Sequence, residues 1–584
     1  MKRKWLDRTG AGAVCASFLV SHVDRIGLHL GTGGIMKIGP QFIKDLSGAL
    51  NTRHVAQGLA LLDQTEGSWA KLLPNHPYAT EFLLLLAQWV DIGYRDHHLL
   101  DSLLLRFPRE SRRKLPMDDY LRLRMVEGFR AFSAEEVDAA IETFDLVLKA
   151  ETGSPEDHLV MLARFWKGRA HRKKGEYEMA LTEITHAREL AQKRRENAVF
   201  TSVIQIHEGW LLFQKGSRKG ALQLLTRAEA ALKNTDHYLA LGNIESARGR
   251  IVRRSGEYTK ALEHFDRAIE IYSSGNPNHR NLARTLVNAA YVKRLLALQL
   301  RKKIDSRARI TNVARKGGEP AHAPNSPASF RARHEQLCHE AILQLRRARE
   351  IYALCGHASG LGSVIVNSGY LHLDRGDIDR AAHEAVEAYR IGLDKNDQIL
   401  MARALVLQTA TENAKIEEQL GEDVDIALHA NRARQFSDDA LALAKHTQNR
   451  RLLAAAFIAR GMTAANEFFQ EWELAKRCAS EATNLIGAGE NDHLLDDLAA
   501  LKSHIMQASG INDTIRGWCE GMLGGKTFQQ VTEEFAEIVI PKVWLREDKK
   551  ISRVAECLSI SPKKVRRILR NTGFLDTSDS VHRH

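Results

Sequence analysis

Proline is scarce in this sequence, 12 in 584 residues, and so is the period-two alternation of Val, Ile and Thr that marks half-buried strands. Few helix breakers and little strand signal predict an all-α chain. No run of about 18 apolar residues occurs, so no membrane-spanning helix and no membrane partner are expected. The six cysteines, Cys15, Cys338, Cys355, Cys478, Cys519 and Cys557, are far apart and form no C-x-x-C pair. That argues against a disulfide framework or a structural zinc site and fits a reducing cytoplasm. The opening "MKRKW…AGAVCASFLV" mimics an export signal, but its apolar run is short and meets His22, Asp24 and Arg25. Export is not expected; residues 1–35 read as a disordered extension, with Met36 as an alternative start.

At 584 residues the chain exceeds the size at which one core stops growing, so it is several domains or a repeat array. Its charge is placed unevenly. Lys542–Arg570 and Arg301–Arg333 each carry a net +7, more together than the +12 of the whole chain, which leaves the remainder slightly negative. Local basicity of this kind points to a polyanionic partner.

Self-comparison supplies the strongest signal. A mid-helix glycine followed twelve residues later by an alanine recurs as Gly128/Ala140, Gly168/Ala180, Gly209/Ala221, Gly249/Ala261 and Gly369/Ala381. The glycines are 40, 41, 40 and 120 residues apart, the last interval being three periods. Small residues at both places let two antiparallel helices approach closely. Between the helices, Gly175, Gly256 and Gly376 are set to end the first helix in the left-handed conformation. Tyr177, Tyr258 and Ile378 open the second, whose inward positions are Ile184, Phe265 and Ala385, then Ala187, Ala268 and Ala388. Degenerate units follow at Ala341, Leu345 and Ala348 and at Trp472, Ala475, Ala479 and Ala482.

This order of Gly, Tyr, Ala, Phe/Tyr and Ala resembles the tetratricopeptide repeat (TPR), with a unit about six residues longer than the usual 34. The resemblance implies an α-solenoid whose groove binds a protein or peptide partner. The array is read as residues 121–510, capped by apolar helices at 36–120 and interrupted by a basic, disordered insert at 302–332.

The apparent catalytic motifs fail on spacing. "GMLGGKT", Gly521–Thr527, is one residue short of a phosphate-binding loop and follows no strand; Gly524 and Gly525 read as a helix end and Thr527–Gln530 as a capping box. In "HEQLCH" the histidines His334 and His339 are five apart, about 140° round a helix rather than on one face. His97 and His98 are adjacent and read as pointing apart. No catalytic residue, cofactor or metal site is expected.

The last helical stretch, "ISRVAECLSISPKKVRRILRNTGF", breaks the 40-residue rule. It fits a helix-turn-helix instead. Val554, Ala555 and Leu558 face a core, Ile560 plugs the turn, Ser561 caps and Pro562 opens the second helix, and Val565, Ile568 and Leu569 form its inner stripe. Its other face holds Lys563, Lys564, Arg566, Arg567 and Arg570, with no acid from Ser561 to Arg570. With Ser561, these are the candidate DNA-binding residues, suited to phosphate and to guanine in the major groove.

Residues 525–575 resemble the Fis-type helix-turn-helix domain, with Glu534–Trp544 as the leading helix, Val554–Leu558, Ile560, and Val565–Gly573 followed by Phe574. Two positions depart from it: Lys549-Lys550 replaces the usual Gly-Asn, and Ser559 the turn glycine. The resemblance implies pairing of two copies through the leading helices, here the apolar stripe Phe535, Ile538, Val539 and Val543, for which packing on the last repeat unit is the alternative. The expectation is a cytoplasmic, non-enzymatic regulator in which a TPR solenoid docks a partner and the C-terminal domain contacts duplex DNA, with residues 576–584 a disordered tail. The rivals are a TPR adaptor that binds no DNA, and nucleic-acid binding by the basic insert.

Overall fold

First helices of the pairs end at left-handed residues such as Gly175, Gly256 and Gly376, and second helices begin at the openers Tyr177, Tyr258 and Ile378. The computed structural model describes residues 38–69, 72–95, 97–150, 157–313, 327–418, 425–487, 489–508 and 525–575; among them there is no strand. In chain order the helices are α1 (Pro40–Thr52), α2 (Val55–Trp69), α3 (Ala79–Ile92), α4 (His98–Leu104), α5 (Arg109–Arg112), α6 (Met117–Ser133), α7 (Val137–Lys149), α8 (Asp157–Lys174), α9 (Tyr177–Gln192), α10 (Ala198–Gln214), α11 (Arg218–Leu232), α12 (Tyr238–Arg254) and α13 (Tyr258–Gly275). They continue with α14 (Arg280–Val313), α15 (Pro327–Leu354), α16 (Ala358–Asp374), α17 (Ile378–Asp394), α18 (Gln398–Glu418), α19 (Ile426–Lys445), α20 (Arg450–Ala464), α21 (Trp472–Leu485), α22 (His493–Ala508), α23 (Phe528–Arg546), α24 (Ile551–Cys557) and α25 (Pro562–Asn571). The fold is an all-α, TPR-like solenoid.

The chain divides into two compact units. One comprises the described residues up to Glu127 with Asn234–His237, the other Gly128–Lys233 with the described residues from Tyr238 on. In the first, α3 is buried almost all round, and α2 packs so closely that a Cβ on Gly58 would stand 1.9 Å from the Trp89 ring. The Asp236 carboxylate caps α2, accepting from the Val55 and Ala56 amides.

In the second unit the repeat glycines mark the helix crossings. A Cβ on Gly128 would meet Phe144 at 2.6 Å, on Gly168 Ile184 at 2.8 Å, and on Gly249 Phe265 at 2.7 Å. Inside each pair Ala180, Ile184, Ala187, Ala261, Phe265 and Ala268 are fully buried. The turn glycines adopt φ of +85° (Gly175), +78° (Gly256) and +82° (Gly376). Where the sequence has no glycine, Glu135, Asn396 and Gln470 take the same left-handed conformation.

One boundary differs from the sequence reading. Much of 302–332 is helix rather than loop: α14 runs on to Val313 and α15 already starts at Pro327. Proline supplies its fixed φ at the first helical position, and the Arg- and Lys-rich end of α14 is a good helix former. Residues 314–326 lie outside the described residues, as do 1–37 and 576–584. No described helix is long and apolar enough to cross a membrane.

The coil of this unit closes on itself. The amide of Gln448 donates to the Gly175 carbonyl (3.0 Å) and that of Glu178 to the Gln448 side chain (2.6 Å). Further on, Arg450 donates to the Gln214 carbonyl (3.3 Å), the Asn491 amide to Arg254 (2.7 Å), and the His493 amide to the Tyr258 hydroxyl (3.1 Å). The Ser359 amide meets the Glu135 carboxylate (3.2 Å). Each contact joins turns more than 220 residues apart, so consecutive windings touch.

Candidate functional site

The C-terminal residues build their own core. Ile540, Trp544, Val554, Ala555, Val565, Ile568 and Leu569 are buried together, with Ala536, Val543, Ile551, Leu558, Ile560 and Leu575 packed against them. The alternation of small and branched residues sets this: Val554 and Ala555 are short enough for α24 to cross α25, and Ile560 fills the corner. The Thr527 cap of α23 forms as its sequence specifies. The Thr527 amide donates to Gln530 Oε1 (2.8 Å), and the Gln530 amide to Thr527 Oγ1 (3.3 Å). Gly525 is left-handed there (φ +77°), while Gly521–Gly524 lie outside the described residues.

Between α24 and α25 the chain turns through Ser559 at φ +50°, the position the resemblance gives to glycine. Lys549 likewise stands at φ +59°. Ser561 then caps α25, accepting the Lys564 amide (3.2 Å), with Pro562 at the first helical position. At the far end Gly573 is left-handed (φ +75°) and returns Phe574 edge-on to Trp544, ring centroids 6.1 Å apart.

This positions the candidate residues. Ser561, Lys563, Arg566, Arg567 and Arg570 are exposed and Lys564 is half-buried. Arg567 reaches Glu533 on α23 at 3.2 Å, an exposed pair of little energetic weight. Among the described residues Lys563, Arg566 and Arg570 have no carboxylate partner. The α23 stripe is partly open: Phe535 is exposed, while Ile538, Val539 and Val543 are half-buried. Phe528 and Leu545 extend it, 84% and 54% exposed.

Inside the solenoid lies a second set of cations that sequence reading missed. One and four residues past the repeat glycines, successive units carry Phe129 and Phe132, Arg169 and Arg172, Trp210 and Phe213, then Arg250 and Arg253. These positions of the first helices alternate between aromatic and arginine, and adjacent units stack. Arg172 lies 5.0 Å and Arg250 5.8 Å from the Trp210 ring, Arg253 4.9 Å from Tyr291, and Arg294 4.8 Å from Tyr370. The i+1, i+4 arginine pattern was the available signal; it hides because it recurs only in alternate units.

The interior is electropositive. Burial, then the neighbouring Arg284, Arg169 and Arg280, lower the Arg172 guanidinium to about 9. Burial and then Glu135, Arg280 and other charges leave Lys173 at about 8. His207 is driven well below the usual imidazole range by burial and by Arg172, Arg169 and Arg284, so it stays neutral and accepts from Arg172 (3.3 Å). Elsewhere arginines are matched: Arg294 with Asp374, Arg450 and Arg451 with Glu490, Arg451 with Asp492.

The histidine motifs resolve differently. His97 and His98 do not point apart; their rings lie 4.3 Å from each other, and with Asp101 their ligand atoms gather within 4.8 Å. His97 is the cap of α4 rather than a residue of its regular turns, so the spacing of helical faces does not separate the two rings. The trio sits on a seven-residue helix, and His98 already engages Asp101 (3.3 Å). His334 approaches Cys338 (3.9 Å), one turn on, rather than His339.

A tetratricopeptide-repeat family model matches residues 240–299. No curated protein sequence matches the chain. Among solved structures it is similar to a Rap protein complexed with competence and sporulation factor (13% identity, 70% of this chain and 98% of that one, TM-score 0.48). It is also similar to the apo quorum sensor NprR from B. thuringiensis (13%, 76% and 98%, 0.35) and to the human IFIT1 dimer with m7Gppp-AAAA (12%, 77% and 95%, 0.40).

Proposed function

We propose that this chain is a non-enzymatic, DNA-binding transcriptional regulator of the cytoplasm. Its solenoid docks a protein or peptide, and its C-terminal helices form a Fis-type helix-turn-helix whose α25 enters the major groove. The observation that carries the reading is the exposed face of Lys563, Arg566 and Arg570, unmatched by carboxylates, on a helix whose other side closes a separate core. A bland surface helix mixes signs; one that places only cations outward meets a polyanion. The apolar stripe Phe528, Phe535 and Leu545 on α23 supports pairing of two copies, which would present two α25 helices to a palindromic site.

The test is selection of the full chain against a genomic DNA pool over a series of salt concentrations. Enrichment of a discrete sequence, lost in the Arg566→Ala/Arg567→Ala variant, supports the regulator. Absence of selective enrichment leaves the adaptor reading in its place.

A further inference from the structure

We propose that the inner face of the solenoid, where arginines of adjacent first helices stack on aromatic rings, binds an acidic peptide whose carboxylates complete the guanidinium groups of Arg172, Arg250 and Arg284. The proposal names the chemistry of the docked partner and rests on the reading above only for the docking of a peptide.

The first observation is the missing counter-charge. Among the described residues Arg172, Arg250, Arg253, Arg284 and Arg403 have no carboxylate partner. Their contacts are neutral: Arg172 to His207 (3.3 Å), Arg250 to the Ser246 carbonyl (3.4 Å), Arg284 to Asn243 (3.0 Å) and Asn281 (3.1 Å), Arg403 to Ser363 (3.2 Å). Arg284 Nε has no hydrogen-bond partner and is out of reach of solvent, and the same holds for Arg253 Nε. Burying a guanidinium without a carboxylate is costly. The acids in the region do not redress the balance. Asp374 is engaged by Arg294, Glu135 by His357 and Ser359, and Asp397 acts on Lys173 and Arg403.

The second observation is convergence. Arg172 on α8 senses Arg284 on α14, and Arg250 on α12 senses both. Arg403 on α18 senses Arg253 on α12 and Tyr291 on α14. Side chains from separate repeats therefore face a common space, and all five arginines are half-buried rather than sealed. Burial, with Arg284, Arg172 and Arg253 close by, holds the Arg250 guanidinium well below its ordinary range, the signature of cations collected in a poorly hydrated space.

The third observation selects the kind of anion. A single-stranded nucleic acid needs open aromatic faces on which bases stack. Here Trp210 lies between Arg172 and Arg250, Tyr291 is taken by Arg253, and Tyr370 by Arg294. Those rings brace the guanidiniums and leave their planar forks to carboxylates, which they match two bonds at a time. An extended peptide is also the slimmer occupant of a coil whose windings touch.

The probes are a labelled hexaglutamate peptide and, in parallel, a labelled hexathymidylate, each titrated by anisotropy into the full chain. Three proteins are compared: the wild type, Arg172→Gln/Arg250→Gln, and Arg566→Ala/Arg567→Ala. The expected result is hexaglutamate binding that falls at least tenfold in the Arg172→Gln/Arg250→Gln protein and is unchanged in the other. That protein should melt no lower than the wild type, since two mutually repelling cations are gone. Arg172→Lys/Arg250→Lys, which keeps the charge without the fork, should bind at intermediate strength. No hexaglutamate binding by the wild type, or binding indifferent to Arg172 and Arg250, overturns the proposal. So does hexathymidylate binding that depends on Arg172 and Arg250. The α25 variant reports separately on DNA contact, so either half can fail alone.

Discussion

Arg566 on α25 and Arg172 on α8 are the same side chain in two settings. Arg566 is exposed, with Lys563 and Arg570 on the same face of the helix. Arg172 is half-buried, stacked on Trp210, and lowered to about 9 first by burial and then by Arg284. An outward cation attracts at long range and yields to salt, with a screening length of about 10 Å at 0.1 M. An inward one is screened little and discriminates by fit. The difference teaches that net charge records only one of the two proposed devices: the outward cations lie in a segment of net +7, whereas the inward ones belong to a remainder that is slightly negative.

The largest effect expected is on the scaffold that makes an interior at all. Gly249→Leu drives a side chain into Phe265, whose ring already stands 2.7 Å from where a Cβ would be. Destabilisation of about 3 kcal/mol is expected from overpacking. It should appear in amide exchange as lost protection across α12 and α13, with α23–α25 unchanged because their core is their own. Loss in both regions would mean that the two do not stand apart.

Next comes the surface device. Arg566→Ala/Arg567→Ala should weaken binding of the full chain to its selected DNA by about a hundredfold, each arginine supplying about 1–3 kcal/mol if it reads a base and reducing the salt slope by about 1 if it meets phosphate. Anisotropy at several salt concentrations separates the two roles. Unaltered affinity would turn the comparison into one between a binding interior and an inert surface.

Smaller, and opposite in sign, are two changes at left-handed turns. The solenoid uses Gly376 (φ +82°) where the C-terminal helices use Ser559 (φ +50°). Gly376→Ala should cost about 1 kcal/mol and Ser559→Gly should gain about 1 kcal/mol, since only glycine adopts this conformation without a Cβ penalty. Thermal melting of the full chain checks both. A loss on Ser559→Gly would show that the serine side chain makes a contact worth more than the strain.

Much of this was legible in the sequence, for a physical reason. Helix crossings need small residues and turns need left-handed ones, so Gly128, Gly168, Gly249, Gly175 and Gly256 announce the pairs at fixed intervals. Ser561, Pro562 and the Val565/Ile568/Leu569 stripe announce α25 equally well, because caps and core faces are local. What closes the coil was not legible. The Gly175–Gln448 and Arg254–Asn491 contacts are backbone bonds between distant turns and carry no residue signature. The helical ends of α14 and α15 were lost under a composition that also suits disorder. The inward cations escaped because net charge was summed along the chain, whereas Arg172, Arg250 and Arg284 converge only once the solenoid winds.

The winding itself offers the finest test. Where Glu135 meets His357 and the Ser359 amide, burial and then Lys173 lower the His357 imidazole to about 3, against the attraction of Glu135. Burial alone would raise Glu135, but His357, Lys173 and Ser359 together hold its carboxylate below the ordinary range. Both shifts have one sign in stability. A group whose proton affinity is lower in the fold stabilises above its unfolded value and loses that contribution as pH falls through the folded one. The contact should therefore hold above pH 6.5 and loosen progressively towards about 3, the bounds being the ordinary and shifted values of His357. Amide exchange at Ser359 and Gly360 is the measure, with protection expected to decline on acidification. In Glu135→Gln the amide still has an acceptor but the carboxylate's part is gone, so the decline should lose its lower half. A protection profile flat in pH, or identical in the variant, would mean that the windings are held together elsewhere, at Gln448 and Asn491, by bonds that do not titrate.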